Sequence, residues 1–125
     1  MGKYVIKQTS NGGYVFNLVA SNGEVIGTSQ TYRSLSSAKG GIGSVQRNVH
    51  ADIEDQTTQH WEPLPRHPKW ELYVDNAGEF RFRLKAMNGE VVLASEGYKA
   101  KTSAKNGIDS VRRNAESDIF VEGKD

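Results

Sequence analysis

The 125-residue sequence contains no cysteine, which excludes disulfide bonds and thiolate chemistry from this protein. It also has almost no net charge, because 16 basic residues against 15 acidic ones leave a formal charge of +1. No global field therefore draws the chain toward nucleic acid or a membrane surface. The remaining composition, 36% hydrophobic and 25% charged, is ordinary for a globular domain and argues against extensive disorder.

Long apolar runs are missing as well. No stretch approaches the roughly 18 residues that a membrane-spanning helix needs. The N-terminal residues turn polar at Lys7, before an apolar run of the kind found in signal peptides has formed. We therefore expect a cytoplasmic protein with no membrane partner, and the lack of cysteine fits a reducing compartment.

The sequence repeats itself. A shift of 66 residues places residues 3–53 over residues 69–119 without a gap, and 22 of the 51 aligned positions are identical. This agreement is far beyond chance, and it makes the repeat the first fact that any account of the fold must satisfy.

A short linker separates the two copies. All three prolines of the chain fall in it, namely Pro63, Pro65 and Pro68. We therefore predict repeat unit 1 at residues 1–55, a proline-marked linker at residues 56–68 and repeat unit 2 at residues 69–122. Units of about 50 residues are marginal alone, so we expect both to share one compact core.

Unit 2 has the clearest strand pattern. Apolar and basic residues alternate strictly from Phe80 to Ala86, which predicts a half-buried strand with its apolar side chains facing inward. Asn88-Gly89 follows and predicts a tight hairpin in which both turn residues take positive φ. The other strands predicted for this unit cover residues 70–74, 91–94 and 117–121. By the same pattern, unit 1 has predicted strands at residues 4–8, 14–20, 25–28 and 51–55.

Each unit also contains one amphipathic helix, predicted at residues 36–48 and 102–114. The positions that form the apolar faces are Ala38, Ile42, Val45 and Val49 in unit 1, and Ala104, Ile108, Val111 and Ala115 in unit 2. Thr102 is the expected N-cap of the second helix. Gly41 and Gly107 match across the copies on the apolar side, which predicts a close approach of helix to sheet.

These elements predict an α+β fold. A β3-α-β unit buries one sheet face under its helix and leaves sheet edges that need a partner. Two tandem units supply each other's edges and build one continuous, mostly antiparallel sheet with two helices packed on one face.

Several spaced motifs in unit 2 support a family resemblance. They are Phe80-Arg81-Phe82-Arg83-Leu84-Lys85, Asn88-Gly89-Glu90, Ser95-Glu96-Gly97-Tyr98 and Ser103-Ala104-Lys105-Asn106-Gly107-Ile108. With them, the chain resembles the YegP-like family of uncharacterised bacterial proteins over both copies. The resemblance implies that the units exchange their C-terminal strands within one sheet. It implies no activity, cofactor or catalytic residue.

The candidate binding surface is the basic strand of unit 2. Arg81, Arg83 and Lys85 lie beside Tyr73, an arrangement able to hold phosphates while the ring stacks on a base. The alternative, which we favour, is a solvated sheet face paired with cross-strand partners such as Glu71. Unit 1 lacks the basic residues, so a function of this strand is expected in unit 2 alone.

Unit 1 instead places Val5, Val15 and Val19 on the equivalent face. This apolar stripe is either a surface for a protein partner or a second copy, or the place where the linker lies, with Trp61 and Leu64 as anchors. The sequence leaves both interpretations open.

No constellation for catalysis, metal binding or cofactor binding is evident. The three histidines, His50, His60 and His67, lack ligand spacing. The acidic residues Asp52, Glu54 and Asp55 sit at a helix exit rather than in a recognisable pocket. We therefore predict a non-enzymatic interaction module that acts through an open sheet face. The alternative is a weak nucleic-acid binder that uses the basic strand of unit 2.

Overall fold

A computed structural model describes residues 2–122 of the chain. These residues form eight strands and two helices. In chain order they are β1 (Lys3–Gln8), β2 (Tyr14–Val19), β3 (Val25–Thr28), α1 (Leu35–Asn48), β4 (Ile53–Asp55), β5 (Lys69–Val74), β6 (Phe80–Lys85), β7 (Val91–Ala94), α2 (Lys101–Asn114) and β8 (Asp118–Val121). Neither helix combines the length and apolar content needed to cross a membrane.

All eight strands join one sheet in the order β4-β5-β6-β7-β3-β2-β1-β8. The units meet at its centre, where β3 and β7 pair antiparallel with Thr28 opposite Ala94. Pairing is parallel only at the two ends, between β4 and β5 and between β8 and β1. The predicted α+β fold, with its continuous and mostly antiparallel sheet, is confirmed.

The C-terminal strand of each unit pairs with the other unit. After α1 the chain enters β4 beside β5, and after α2 it enters β8 beside β1. Two equivalent hydrogen bonds stabilise the points at which the chain passes from one unit to the other. The indole N–H of Trp70 donates to the carbonyl of Val49 at 2.9 Å, and the hydroxyl of Tyr4 donates to the carbonyl of Ala115 at 2.8 Å. The predicted strand exchange is therefore present.

The core lies between the sheet and the two helices. Each helix packs on strands of both units, α1 on β1, β2, β6 and β7, and α2 on β3 and β6. All eight apolar helix positions predicted to face inward are buried. Tyr4 meets Phe16 edge-on at 5.9 Å between ring centroids, and Trp70 meets Phe82 at 5.5 Å in the same way. The shared core explains how two marginal units form one folded body.

The helix starts differ between the units. Ser34 caps α1, because its side-chain oxygen accepts the Ser37 N–H at 3.0 Å. The equivalent position before α2 is Ala100, which has no side-chain acceptor. The prediction of Thr102 as the N-cap is wrong, because the helix already begins at Lys101 and Thr102 lies within its first turn.

The hairpins of the two units also differ from the prediction. Gly23 and Gly89 take φ of +88° and +83°, but no non-glycine residue among those described has positive φ, so Asn22 and Asn88 do not share this conformation. In each turn the N–H of the glycine donates to the carbonyl of the alanine three residues earlier. The pairing register of the two strands shifts next to this turn. The hairpin therefore has a longer loop than the predicted two-residue turn, and a β-bulge accommodates the additional residue.

Close approach of helix to sheet explains the matched glycines. A Cβ added at Gly41 would lie 2.6 Å from Cζ of Tyr32, and one added at Gly107 would lie 2.7 Å from Cε2 of Phe82. In each unit this glycine faces two stacked rings, a core phenylalanine and a tyrosine, whose centroids lie 6.1 Å apart for Phe16 and Tyr32. Here the missing side chain is a packing requirement.

Gly41→Ala is expected to lower the free energy of unfolding by roughly 1–3 kcal/mol, because the new methyl group pushes Tyr32 off its stack. Gly40→Ala is the matched control. A Cβ there meets nothing within 4 Å, so the better helix propensity of alanine should raise stability by up to about 1 kcal/mol. Urea unfolding of both variants measures the difference. Equal effects from both substitutions would contradict this packing account.

Candidate functional site

The helices cover one face of the sheet and leave the other face open. One register line crosses that open face from edge to edge. Its residues, in order, are Glu54, Glu71, Arg83, Ala94, Thr28, Asn17, Val5 and Phe120. The line is ionic at the unit 2 end, small in the middle and apolar at the unit 1 end. The two halves of the open face therefore differ in chemistry, although they are related by the repeat.

The unit 2 half carries a charged cluster, which we define as Glu54, Lys69, Glu71, Arg83 and Lys85. Glu71 is only 4% exposed and lies at its centre. It accepts a hydrogen bond from Nε of Arg83 and lies 3.1 Å from Nζ of Lys85. Nζ of Lys69 lies 2.6 Å from Glu54 and 3.7 Å from Glu71, and so links the two carboxylates. The cluster is an internal ion network with its charges nearly balanced.

The linker covers the end of this charged cluster that contains Glu54 and Lys69. The backbone N–H of Leu64 donates to Oε1 of Glu54 at 2.6 Å, and its carbonyl accepts from Nζ of Lys69 at 3.2 Å. Leu64 itself is half-buried, whereas Trp61 is 41% exposed. Of the two predicted anchors, Leu64 is therefore the more buried one. The linker is therefore hydrogen-bonded to the unit 2 half, and no hydrogen bond among residues 2–122 joins it to the apolar stripe of unit 1.

Both carboxylates of the cluster remain ionised at neutral pH. Burial raises the pKa of Glu71, but hydrogen bonds and attraction from Arg83 and Lys85 outweigh it and leave the pKa lowered. Burial likewise raises the pKa of Glu54, and the hydrogen bonds from Lys69, Gln56 and Leu64 lower it by more. A carboxylate held in this way stabilises the fold and is poorly suited to donate a proton.

The structure brings the predicted binding residues together on the open face. Each cation, however, already has a carboxylate. Arg81 lies 2.6 Å from Asp75, and both Arg83 and Lys85 are paired with Glu71. The guanidinium of Arg83 also lies over the Tyr73 ring, 4.3 Å from its centroid, so the ring is occupied by a side chain of the protein itself. This is the cross-strand pairing that the sequence favoured.

The unit 1 half carries an apolar patch, which we define as Val5, Val15, Val19 and Phe120. The valines are half-buried and Phe120 is 54% exposed. Val5 lies opposite Phe120 on β8 and opposite Asn17 on β2. Shifted by 66 residues, the patch coincides with Glu71, Arg81, Lys85 and Glu54. At these equivalent positions, unit 1 has apolar side chains where unit 2 has paired charges.

Phe120 is the member of the patch that sequence reasoning missed. Its position was predicted to be in a strand, but its neighbours became evident only when the exchange placed β8 beside β1. The available signal was the repeat itself, because Phe120 matches Glu54 and Val5 matches Glu71. Lys69 and its role in the cluster were missed for the same reason.

Other ionisable side chains outside the charged cluster are held by hydrogen bonds, ion pairs or burial. Asp55 is bonded to Thr57 and lies 2.7 Å from Nζ of Lys101. Tyr98 lines a cleft of about 250 Å³ together with Glu24 and Glu96, and burial followed by the charge of these carboxylates raises the pKa of its hydroxyl. No group of three metal-ligating side chains is found among residues 2–122.

Comparison with known proteins gives a consistent result. A family model described as a domain of unknown function, DUF1508, matches twice, at residues 9–55 and 75–122. The UPF0339 protein YegP of Yersinia pestis is 42% identical over 120 residues, which is 96% of this chain and 94% of that protein. The UPF0339 protein PA0329 of Pseudomonas aeruginosa is 38% identical over 89% of this chain and 87% of its own.

The fold agrees with a solved structure of a relative. The solution structure of yegP from E. coli, described as a protein of unknown function, superposes with a TM-score of 0.79. It is 30% identical and covers 99% of this chain and 96% of that one. These comparisons support the architecture and leave the biochemical activity open.

Glu71→Gln is expected to destabilise the protein by about 3 kcal/mol at pH 7, because Arg83 and Lys85 lose a shared, buried anion. Since the pKa of Glu71 is lowered on folding, its contribution is fully present above the ordinary glutamate value and is lost as pH falls through the folded value. The gap between variant and wild type should therefore narrow as pH falls from about 5 to about 2.

Urea unfolding at several pH values measures this gap. Glu24→Gln, at an exposed carboxylate, is the control and should change stability by no more than about 0.5 kcal/mol. A gap that stays constant down to the acid limit would refute the assigned ion network.

Proposed function

The chain belongs to the DUF1508 family, and we propose that it is a non-enzymatic interaction module that binds a protein partner through the apolar patch of unit 1. The observation that supports this proposal is the contrast between the two halves of the open face. The unit 2 half is charged and covered by the linker at Leu64, whereas no other segment of residues 2–122 is hydrogen-bonded over the patch.

The patch has the character of a recognition surface. Its apolar side chains lie on three neighbouring strands and alternate with polar ones on the same face. Asn17 separates Val15 from Val19 on β2, and Lys7 and Lys3 lie opposite these two valines on β1. Lys3 lies over the Phe120 ring at 5.7 Å from its centroid. Protein–protein interfaces are typically a mixture of polar and apolar surface in which exposed aromatic side chains such as Phe120 are enriched. A solvent-facing sheet surface without such a role normally carries polar side chains, as the unit 2 half does.

Absence of catalysis is part of the proposal. The buried carboxylates Glu54 and Glu71 have lowered pKa values, and Tyr98 has a raised one, so all three stay in their ordinary charge states at neutral pH. Catalytic acids, bases and nucleophiles need the opposite shifts. The apolar patch contains no ionisable group at all.

Nucleic-acid binding through Tyr73, Arg81, Arg83 and Lys85 is the second candidate. In its favour, all four side chains lie together on the open face. Against it, a phosphate would have to displace Asp75 from Arg81 and Glu71 from Arg83, and a base would have to displace Arg83 from the Tyr73 ring. Each displacement costs an interaction that already exists, so we place this candidate second.

Replacement of the patch tests the proposal. We expect Val15→Arg combined with Val19→Lys to fold, because both valines are only half-buried and lie on the face away from the core. Lys7 and Lys3 lie opposite the new charges and should lower stability only modestly. The variant should lose partner affinity by tenfold or more, corresponding to about 1.4 kcal/mol. Affinity capture from cell extract with quantitative mass spectrometry gives the readout, and sedimentation velocity separates a foreign partner from a second copy.

The control is Ser103→Arg combined with Asn106→Lys, which adds the same two charges at exposed positions of α2. It should retain every partner that the wild type captures. Capture that is equal for patch variant, control and wild type, or absent from all three, would refute the proposed function.

Fluorescence anisotropy with labelled single-stranded and duplex oligonucleotides tests the second candidate. We expect no saturable binding at micromolar protein in 50 mM salt, because each cation of the basic strand already has a carboxylate partner. Binding that weakens by several powers of ten between 50 and 200 mM salt, and that Arg83→Gln reduces, would establish the nucleic-acid function instead.

A further inference from the structure

The outer strand β8 is an edge with free pairing capacity. It closes the sheet on the unit 1 side and pairs only with β1 among the described residues. The N–H of Glu122 donates to the carbonyl of Ile6 at 2.8 Å, which fixes the direction of the backbone groups. By the alternation along a strand, the N–H and C=O groups of Ile119 and Val121 point away from the sheet.

Large apolar side chains flank this edge on both faces. Ile119 lies on the helix side and is 41% exposed, and Phe120 lies on the open side and is 54% exposed. An exposed apolar edge strand invites pairing with another chain, and proteins usually blunt it with charges, bulges or a cover. Residues 119–121 of β8 include no charged side chain and no bulge, and no other segment of residues 2–122 pairs with their outer edge.

The opposite edge shows what protection looks like in the same protein. β4 has three residues, and Glu54 at its centre is buried beneath the linker. Asp55 next to it is bonded to Thr57 and paired with Lys101, and the chain turns away at once. The repeat thus presents one edge that is charged and covered by the linker, and one edge that is apolar at residues 119–121 and uncovered by any other segment of residues 2–122.

We propose that β8 is a strand-addition site for an extended segment of a partner protein, with an apolar centre and basic flanks. This inference rests on the proposed function and specifies how the partner enters. The added strand pairs with Ile119 and Val121, and its open-side residues continue the register line through Val5 and Phe120. Main-chain hydrogen bonds then give affinity, and the apolar patch gives selectivity.

Charge identifies the chemistry of the partner segment. Glu116, Asp118 and Glu122 stand at and beside the two ends of β8, so the apolar triplet has carboxylates on both sides. A strand with lysine or arginine flanks complements this pattern. A second copy does not, because pairing β8 with β8 brings two acidic ends together. Four residues per edge are also too few to bury the roughly 1,200 Å² of a stable dimer.

The probe is a ten-residue peptide of alternating valine and threonine with two lysines at each end. In amide NMR and hydrogen exchange, we expect it to shift β8 and to slow exchange of the Ile119 and Val121 amides by at least tenfold. Two control peptides should bind much more weakly, one N-methylated on its pairing edge and one with glutamates in place of the lysines. No protection at millimolar peptide, or equal binding by the N-methylated control, would overturn the proposal.

Two chain variants separate this inference from the proposed function. Ile119→Pro removes an N–H that has no partner within the sheet, so folding should survive and strand addition should be lost. Partner capture lost in the Val15→Arg, Val19→Lys variant but retained in Ile119→Pro would leave the proposed function standing and overturn strand addition. Loss of partner capture in both variants supports the proposed function and strand addition together. A dimer that Ile119→Pro dissociates would instead show that β8 pairs with itself, and would overturn the peptide partner.

Discussion

The structure depends on the exchange of the last strand between the two repeat units. Neither β4 nor β8 stays with the unit that encodes it, and the crossing at each end is fixed by an aromatic donor on a carbonyl at the end of a helix, Trp70 on Val49 and Tyr4 on Ala115. Because these donors are buried, loss of either hydrogen bond would leave a polar group without a partner in the core. The exchange makes the two halves one cooperative body.

The same exchange gives the protein two related but chemically different surfaces. Strand order and register are repeated almost residue for residue, so equivalent positions of the two units face the same way. One set of these positions forms an ion network, in which Glu71 and Glu54 are paired with three cations. The other set became apolar and stayed uncovered by the linker. Duplication thus leaves one half as an ion network that stabilises the fold and the other half as an apolar surface that the linker does not cover.

The role of the linker follows from this division. Its backbone at Leu64 satisfies Glu54 and Lys69, so this end of the charged half is shielded from solvent. The equivalent place beside β8 carries Phe120, which offers no polar group for such a cover. An incoming strand with apolar side chains is the kind of chain segment that matches this position, and a phosphate backbone does not.

The sequence by itself determined the repeat, the number and order of the elements, the inward faces of both helices and the requirement for glycine at positions 41 and 107. These features are local or repeated, so alternation, helical spacing and the shift of 66 residues were enough to predict them. Even the cross-strand partner Glu71 of Arg83 follows from the order of adjacent strands in a hairpin. Local details went wrong where competing geometries are close in energy, as in the Asn-Gly turns and the start of α2.

Only the tertiary structure decided which residues of one unit contact which residues of the other. That Phe120 completes the patch of Val5, that Lys69 joins Glu54 to Glu71, and that the linker lies on the charged half all depend on contacts between segments far apart in sequence. Alternation states which side of a strand a residue occupies but not which strand comes next to it. The placement of β8 and of the linker is set by packing and burial of the whole chain, and the candidate site lies where those long-range contacts converge.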